Sequence, residues 1–252
     1  MSAPRVLVVE HENGTGPAQV GERLTAQGLT LDLCRPWAND PVPHDLDAYD
    51  GLLVLGGSMG PYDDERAPWL PQVCDLLRQA VAQDLPTLGI CLGMELLTVA
   101  CGGEVGHAAR PEVGLCELTP LQSASTDDLF APLANPNPTS TSNPCAVQWH
   151  WEETSVLPEG AVPLLTSERC THQAYRIGTA VWGVQFHPEV LAADIAAWGA
   201  SDVGALEALG LEPASVVAHV AREEERLRAL WGAFAERWGE IVTARRSEPA
   251  HR

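Results

Sequence analysis

The segment Thr87-Leu88-Gly89-Ile90-Cys91-Leu92-Gly93-Met94 is typical of a short buried strand that runs directly into a helix. Its G-x-C-x-G pattern indicates a nucleophile elbow, a turn so tight that neighbouring side chains would clash and glycines are needed. Such a turn holds its central side chain above the sheet at a helix N-terminus, where the helix dipole lowers the pKa of a thiol. We therefore predict that Cys91 is a nucleophile, and that Cys34, Cys74 and Cys101, which lack this context, are small core residues.

Strand-like apolar runs alternate with helical patterns on both sides of this segment. Strands are predicted over 5–10, 29–33, 50–55 and 86–90, and helices over 16–28, 69–83 and 92–101. The alternation predicts an α/β fold with a mostly parallel sheet and helices on both faces. Further strands are predicted over 146–151, 162–166, 173–177 and 180–186, and their connections are too short for crossover helices. The sheet is therefore expected to be mixed.

The second half of the chain contains an irregular connection and a helical end. Residues 119–144 are rich in Ser, Thr, Asn and Pro, which predicts a surface connection with a short helix near 128–133. After Pro188 the pattern becomes helical, and an apolar stripe with helical spacing is formed by Val220, Leu227, Trp231, Phe234, Trp238 and Ile241. We predict a catalytic domain over 1–190, a helical extension packed on it over 191–245, and a disordered tail over 246–252.

Composition and charge exclude several kinds of partner. The 252 residues are 45% hydrophobic, and 15 basic against 34 acidic side chains give a net charge of −19, which repels phosphate backbones and anionic lipid surfaces. We therefore expect no nucleic-acid and no membrane partner. No apolar run approaches the roughly 18 residues that cross a bilayer, and the run Val6–Val9 is too short for a signal-peptide core. These features predict a cytoplasmic protein.

The cysteine and histidine spacings give no indication of a metal site. The seven cysteines are scattered without a CxxC pair, which is typical of neither a disulfide framework nor a zinc ribbon. The histidines likewise show no H-E-x-x-H or comparable ligand spacing. We expect neither a metal nor a cofactor.

The strand end Val181-Trp182-Gly183-Val184-Gln185-Phe186-His187-Pro188-Glu189 supplies a base and an acid for Cys91. Residues two apart at a strand end project to the same side, so Glu189 is placed to orient the ring of His187. His187 is then placed to take the proton of the thiol, which is the logic of a Cys-His-acid triad. Isolated histidines such as His44, His107 and His219 are interpreted as ordinary solvated or satisfied side chains.

A glycine-rich turn follows another predicted strand, in Leu55-Gly56-Gly57-Ser58-Met59-Gly60. A turn without side chains can direct backbone N–H groups at a developing oxyanion, and we assign this role to the N–H groups of Gly57 and Leu92. A phosphate-binding loop is the alternative for two glycines after a strand. The G-x-G-x-x-G pattern and the P-loop lysine of such loops are missing from this segment.

These motifs together resemble the class I glutamine amidotransferases with a Cys-His-Glu triad, and specifically the stand-alone GMP-synthase-like amidotransferase group. The resemblance is carried by 56–60 with Tyr62-Asp63, by 89–93, by Gln148-Trp149-His150 and by 185–189, and covers most of the chain in the same order. It implies a flavodoxin-like doubly wound sheet. It also implies that Cys91 attacks a γ-glutamyl amide and forms a γ-glutamyl thioester, which water or another amine resolves.

The sequence differs from the usual family pattern at three places in the implied substrate pocket. Glu95 stands where the family usually has Gln, His150-Trp151-Glu152 replaces the His-Ser of many members, and Ser58 replaces a common Pro. An amide replaced by a carboxylate loses a donor and gains charge. The predicted substrate-binding residues are Gly56, Ser58, Glu95, His150 and Trp151.

Three hypotheses about function follow. The first is a glutaminase-type amidotransferase acting on a small γ-glutamyl substrate such as glutamine, with ammonia or amine passed to a synthetase or acceptor-binding protein partner. The second is a γ-glutamyl peptidase or hydrolase acting on a γ-glutamylated metabolite, which Glu95 and the segment 150–152 favour. The third is a non-catalytic binding or regulatory module, which has no physical need of a strained elbow with its triad.

Overall fold

The computed structural model describes residues 3–135 and 143–247 and contains a mixed sheet covered by helices. The strands are β1 (Arg5–Val9), β2 (Thr30–Cys34), β3 (Gly51–Val54), β4 (Thr87–Ile90), β5 (Glu104–Glu117), β6 (Thr119–Pro120), β7 (Cys145–Val156), β8 (Val162–Thr166), β9 (Ala174–Ile177) and β10 (Val181–Val184). The helices are α1 (Ala18–Ala26), α2 (Leu70–Gln83), α3 (Leu92–Ala100), α4 (Ala131–Ala134), α5 (Ala192–Ser201), α6 (Val203–Ala208), α7 (Pro213–Arg222) and α8 (Glu224–Ser247).

The main sheet has eight strands in the order β2-β1-β3-β4-β10-β9-β8-β6. The strands from β2 to β10 in this order are parallel to their neighbours, and β9, β8 and β6 extend the sheet with antiparallel pairings. The prediction of a doubly wound, mixed and mostly parallel α/β sheet is therefore confirmed. The carboxyl ends of β3, β4 and β10 meet at one edge, where open α/β sheets bind their ligands.

A separate two-stranded antiparallel ribbon, β5 and β7, differs from the sequence-based prediction. No strand is predicted over Glu104–Glu117, and the segment 146–151 is predicted to join the same sheet as the other strands. In the structure this segment belongs to β7, which forms its ladder with β5, and an isolated antiparallel bridge joins Val147 to His187 beyond the end of β10. Most of β5 is exposed or half-buried and shows no regular alternation. Its strand conformation depends on pairing with a segment about 40 residues away, which local patterns do not show.

The connection between β5 and β7 contains more regular structure than predicted. β6 and a 3-10 turn at Gln122–Thr126 precede the short helix, which lies at Ala131–Ala134 rather than 128–133. Asp127 lies between the 3-10 turn and the short helix, and it accepts hydrogen bonds from the backbone N–H groups of Leu129 and Phe130 at 2.9 and 3.0 Å. Residues 136–142 of the predicted irregular connection lie outside the described part.

The predicted apolar stripe is divided between two helices: Val220 lies on α7, and the other five residues lie on α8, which packs on the sheet. Leu227, Trp231, Phe234 and Trp238 are buried in the same core cluster as Phe186, and the rings of Phe186 and Trp231 are 4.7 Å apart. α8 continues through Ser247, so it includes the first two residues of the predicted tail, whereas 248–252 lie outside the described residues. Among the helices of the described ranges, none is long and apolar enough to cross a membrane.

Candidate active site

Cys91 lies in the tight turn between β4 and α3. Its backbone adopts φ +51° and ψ −109°, and residues other than glycine rarely occupy this positive-φ region. A Cβ on Gly89 would lie 2.6 Å from the carbonyl oxygen of Gly93, and a Cβ on Gly93 would lie 2.1 Å from that of Val54. The two glycines of the G-x-C-x-G pattern are therefore required by backbone packing, and the surrounding structure holds Cys91 in a strained conformation.

His187 and Glu189 form a buried pair next to this turn. His187 Nδ1 lies 2.7 Å from Glu189 Oε1, and both side chains are almost completely buried. The other ring nitrogen, His187 Nε2, is buried and has no hydrogen-bond partner among residues 3–135 and 143–247. A Cβ built on Gly56 would lie 3.1 Å from His187 Cε1 and 3.7 Å from Cys91 Cβ, so the imidazole and the cysteine are on the same side of Gly56. Nε2 is the nitrogen left available to a reacting group.

Two elements hold the backbone of this pair. The His187 N–H donates to the carbonyl oxygen of Val147 on β7 at 2.9 Å. The Gln19 side chain on α1 donates to the Pro188 carbonyl at 2.8 Å, and the Gln19 N–H donates to the Glu189 carbonyl at 3.1 Å. The strand end that carries the base and the acid is thus fixed by segments distant in sequence.

The two predicted oxyanion donors lie on adjacent turns. Gly57 lines the cavity in front of Cys91, and a Cβ there would meet Leu92 Cδ2 at 3.0 Å. The Leu92 N–H hydrogen-bonds the Cys91 sulfur and lowers the pKa of that thiol. Gly56, predicted to bind substrate, is instead buried against His187, where any side chain would press on the imidazole.

The thiol of Cys91 does not have the low pKa expected at a helix N-terminus. Burial raises its pKa well above the ordinary value, and the carboxylates of Glu95 and Glu189 raise it further. The Leu92 N–H and the Gln185 amide, whose nitrogen lies 3.8 Å from the sulfur, lower the pKa by less. Burial of the thiol therefore outweighs the lowering of the pKa that is expected from the helix dipole. Attack by this cysteine therefore needs a base.

A cavity of about 710 Å³ opens in front of Cys91, a size usual for small-molecule sites. Seven of the predicted site residues line it: Gly57, Ser58, Cys91, Glu95, His150, Trp151 and His187. In residues 3–135 and 143–247 no group of three or more His, Cys, Asp or Glu side chains is arranged to hold a metal ion.

Glu95 lies on the cavity wall one helical turn after Cys91. It is only 4% exposed, and its Oε1 accepts a hydrogen bond from the Gln185 amide at 2.9 Å. Burial raises its pKa to about 7, with the hydrogen bond from Gln185 opposing the shift. Near neutral pH this carboxyl therefore exists in both protonation states, which the amide of a glutamine would not do.

Ser58 is bound within the protein rather than pointing freely into the cavity. Its N–H and hydroxyl donate to the two oxygens of Glu12 at 2.9 and 2.7 Å. Arg66 approaches from the other side and donates to the Ser58 hydroxyl at 2.7 Å and to its carbonyl oxygen at 3.2 Å. Ser58 thus links the glycine loop to the Glu12 carboxylate and the Arg66 guanidinium. Its atoms also form part of the cavity wall.

His150 is held from both ring nitrogens. Nδ1 lies 2.8 Å from the carbonyl oxygen of Glu152, and Nε2 lies 3.3 Å from Glu112 Oε2. Glu112 is itself buried and accepts from Gln173 at 2.6 Å and from Ser167 at 2.8 Å. The imidazole is therefore held in a fixed orientation at the cavity wall.

Several residues of the cavity wall were not identified from the sequence. Trp198 on α5 packs its ring edge to face with His187, with centroids 4.8 Å apart, and Asp202 accepts from the Trp149 indole N–H at 2.8 Å. Glu12 follows β1. The order β1-β3-β4 in a doubly wound sheet would have indicated that the turn after β1 borders the site. No local pattern distinguishes Trp198 or Asp202 from other residues of the helical extension.

Comparison with known sequences identifies the family of this chain. The sequence model of the family "Glutamine amidotransferase class-I" matches residues 20–194. The chain belongs to this family. The resemblance stated from the motifs is thereby confirmed, and so is the prediction of an enzyme of the amidotransferase type at the level of the family.

Several relatives of this amidotransferase are similar along much of their length. A glutamine amidotransferase-like protein of Salmonella typhimurium is 28% identical over 188 residues, which is 73% of this chain and 75% of that protein. Gamma-glutamyl peptidase 3 of Arabidopsis thaliana is 28% identical over 151 residues, 59% of this chain, and the match spans only 58% of the plant protein. One subunit of the glutamine-hydrolysing GMP synthase of Natronomonas pharaonis is 35% identical over 153 residues, 60% of this chain and 72% of that protein.

A solved structure agrees along the whole amidotransferase chain. The crystal structure of a glutamine amido transferase from Methylobacillus flagellatus superposes with a TM-score of 0.81 at 28% identity. It covers 100% of this chain and 99% of that one, so the match includes the helices after residue 194.

Proposed function

We propose that this protein cleaves a γ-glutamyl amide, with Cys91 as nucleophile, His187 as general base and acid, and Glu189 as the residue that orients His187. The observation that carries the proposal is the buried, unpartnered Nε2 of His187 next to the cysteine elbow, with Glu189 on the opposite nitrogen. In a Cys-His-acid triad this is the nitrogen that exchanges a proton with the thiol. Membership of the amidotransferase family supports the γ-glutamyl amide as substrate.

Acylation would proceed with the proton moving through His187. The Cys91 sulfur forms a bond to the amide carbon while its proton passes to His187 Nε2, and the negative oxygen accepts hydrogen bonds from the N–H groups of Gly57 and Leu92. The C–N bond then breaks, and His187 Nε2–H protonates the departing nitrogen, which leaves as ammonia or an amine.

Water completes the reaction by hydrolysing the thioester. His187 takes a proton from water as its oxygen attacks the carbonyl carbon, the C–S bond breaks, and the sulfur recovers a proton to restore the thiol. The high thiol pKa of the resting enzyme supports this assignment, because proton removal is then coupled to attack instead of preceding it.

A γ-glutamyl peptidase is the second candidate. Glu95 supports it, since this buried carboxyl stands on the cavity wall where the family usually carries an amide. The relative named gamma-glutamyl peptidase 3 shows that the sequence is also similar to proteins with that name. In this alternative the departing group is an amine or peptide rather than ammonia.

A partner protein and a cytoplasmic location complete the proposal. One similar protein is named as a subunit of GMP synthase, so that relative is part of an assembly. By analogy, we propose a synthetase or acceptor-binding partner for this chain if ammonia is its product. The site residues need no metal or cofactor for the steps described above.

The experiment that tests the proposal is intact mass after incubation with 6-diazo-5-oxo-norleucine, an electrophile that mimics glutamine. We expect a single adduct on the wild type and none on Cys91→Ala. The chain contains no lysine, so side reactions with lysine amines do not complicate the result. An adduct on both proteins would contradict the proposal. The proposal would also be contradicted if neither protein formed an adduct and the wild type released no ammonia from glutamine and no amine from γ-glutamyl-methylamide. The ratio of those two activities separates the two candidates.

A further inference from the structure

The walls of the active-site cavity carry an unusual excess of negative charge. Five carboxyl groups line it: Glu12, Asp63, Glu95, Glu152 and Asp202. Three histidines also line it, His107, His150 and His187, but no arginine is among the lining residues. Arg66 does not line the cavity, but its guanidinium donates to the Ser58 hydroxyl that also hydrogen-bonds Glu12, so it partly offsets the charge of Glu12.

Three of these carboxyl groups have neutral direct donors, and in the described residues none of the three forms a salt bridge with an arginine. Glu12 accepts from the Ser58 N–H and hydroxyl, Asp63 from the Gly60 N–H at 2.9 Å, and Asp202 from the Trp149 indole. Histidines lie near the other two carboxyl groups: Glu152 Oε1 is 3.7 Å from Nδ1 of the exposed His107, and the charge of His150 lowers the pKa of Glu95.

The carboxyl groups of the cavity wall become more exposed from the nucleophile to the mouth of the cavity. Glu95, near Cys91, is buried; Glu12, Glu152 and Asp202 are half-buried; and Asp63 is exposed. Glu95 Oε1 is bound by Gln185, and in the described residues no hydrogen bond reaches its other oxygen. Hence the deep end also presents an unpartnered carboxyl oxygen, on a side chain only 4% exposed, to whatever enters.

The glycine loop is shaped to admit one of these acids. A Cβ on Gly60 would lie 2.7 Å from Glu152 Oε2 and 3.2 Å from Oε1. The absence of a side chain at Gly60 therefore lets the Glu152 carboxylate sit against the loop, at the wall of the cavity.

This charge exceeds what a γ-glutamyl group can neutralise. A γ-glutamyl group contributes one ammonium and one carboxylate, and these cancel. A cleft lined by one sign of charge concentrates ligands of the opposite sign. We therefore propose that the cavity selects γ-glutamyl amides whose amine portion carries a second, positively charged amino group, with that group held by the carboxylates near the mouth. The inference rests on the proposed function, and it gives that function a substrate class.

Three γ-glutamyl amides of similar length test the charge preference: those of 1,4-diaminobutane, n-butylamine and 4-aminobutyrate, with a cationic, neutral and anionic end. Binding is measured by calorimetry on Cys91→Ala, which retains the cavity but cannot turn over. We expect the dissociation constant to be about tenfold or more lower for the cationic than for the anionic amide, and the ratio to shrink in high salt.

Matched variants locate the effect. Glu152→Gln in the Cys91→Ala background is expected to reduce the preference several-fold. Glu159→Gln removes the same charge from an exposed residue outside the cavity and should leave the preference unchanged. Equal binding of the three amides, or tighter binding of the anionic one, would overturn the inference.

Turnover of the same amides by the wild type distinguishes this inference from the proposed function. Equal rates on all three amides would overturn the charge preference and leave amide cleavage intact. Selective binding of the cationic amide by Cys91→Ala with no cleavage of any amide or of glutamine by the wild type would support the charge preference and overturn the proposed chemistry.

Discussion

At the scale of single residues, Cys91 combines strain with burial. Its backbone is held at φ +51°, and its buried thiol lies at the cavity wall with the carboxyl groups of Glu95 and Glu189 nearby. A thiolate in that environment is unfavourable in the resting state because it is desolvated and repelled by like charge. In the proposed mechanism, Cys91 therefore becomes reactive only when a substrate carbonyl and His187, acting as base, are both in place.

Replacing Glu189 by Gln tests whether it orients His187. The amide keeps the size of the side chain but presents either a donor or a weaker acceptor to His187 Nδ1, which now lies 2.7 Å from a carboxylate oxygen. We expect kcat to fall by about 10²–10⁴-fold, with a larger loss in His187→Ala. Steady-state kinetics with glutamine or the best γ-glutamyl amide measures this. A Glu189→Gln enzyme with wild-type kcat would exclude the assigned role.

Glu95 makes the stability of the protein depend on pH. Its folded pKa of about 7 exceeds the ordinary 4.5, so the folded state favours the protonated carboxyl. The stabilisation of the protein by this group is complete below pH 4.5 and is lost as the pH rises through 7, because the unfolded chain binds fewer protons than the native one in that interval. Glu95→Gln removes this dependence.

We expect the stability of Glu95→Gln relative to wild type to rise between about pH 5 and pH 8, by roughly 3 kcal/mol. Thermal melts across that range measure the difference in Tm. Glu159→Gln, an exposed residue with the same change of charge, is expected to give a nearly constant difference. A constant difference for Glu95→Gln as well would show that this carboxyl is ionised throughout.

At the scale of elements, the turn from β4 into α3 depends on glycine for contact with β3. Gly93→Ala would force its Cβ to within 2.1 Å of the Val54 carbonyl oxygen, so β3 and α3 must separate. We expect a loss of about 3 kcal/mol or more in unfolding free energy, measured by urea denaturation. Gly204→Ala on α6 meets nothing within 4 Å and should be neutral or more stable by up to about 1 kcal/mol. Equal stability of the two variants would disprove the packing argument.

Helix α5 contributes to the site through Trp198, which contacts the ring of His187. An edge-to-face aromatic pair is worth about 0.5–1.5 kcal/mol, so Trp198→Ala should lower kcat/KM by roughly 3- to 10-fold. Trp198→Phe keeps an aromatic ring and should retain most of the activity. The comparison is informative only when both variants melt near the wild-type temperature; equal kcat/KM for all three proteins would remove Trp198 from the site.

At the scale of the whole molecule, the predicted boundary at 190–191 separates catalytic residues from helices that share their core. Trp231 on α8 packs on Phe186, and its indole N–H donates to the Cys145 carbonyl at 3.0 Å. A single core of this kind predicts one cooperative unfolding transition for both parts of the chain.

Trp231→Ala tests that cooperativity. We expect a loss of about 3–5 kcal/mol, with tryptophan fluorescence and far-UV circular dichroism giving the same urea midpoint in wild type and variant. Trp37→Ala, at an exposed position, should change stability by less than about 1 kcal/mol. Two separated transitions would mean that residues 191–245 form an independent unit.

Local sequence patterns were sufficient for the parts of this protein that depend on near neighbours. The alternation of strands and helices, the glycines around Cys91 and the two-residue spacing of His187 and Glu189 all follow from steric and periodic rules that act over a few residues. The fold class and the elements that carry these side chains could therefore be predicted from the sequence alone.

Long-range packing accounts for the remainder. The pairing of β5 with β7, the position of Trp198 over His187 and the burial that raises the pKa of Cys91 all join residues distant in the chain. The acidic lining of the cavity likewise collects carboxyl groups from five separate segments, at Glu12, Asp63, Glu95, Glu152 and Asp202. Desolvation and electrostatic focusing depend on what surrounds a group in three dimensions, so no local pattern contains them.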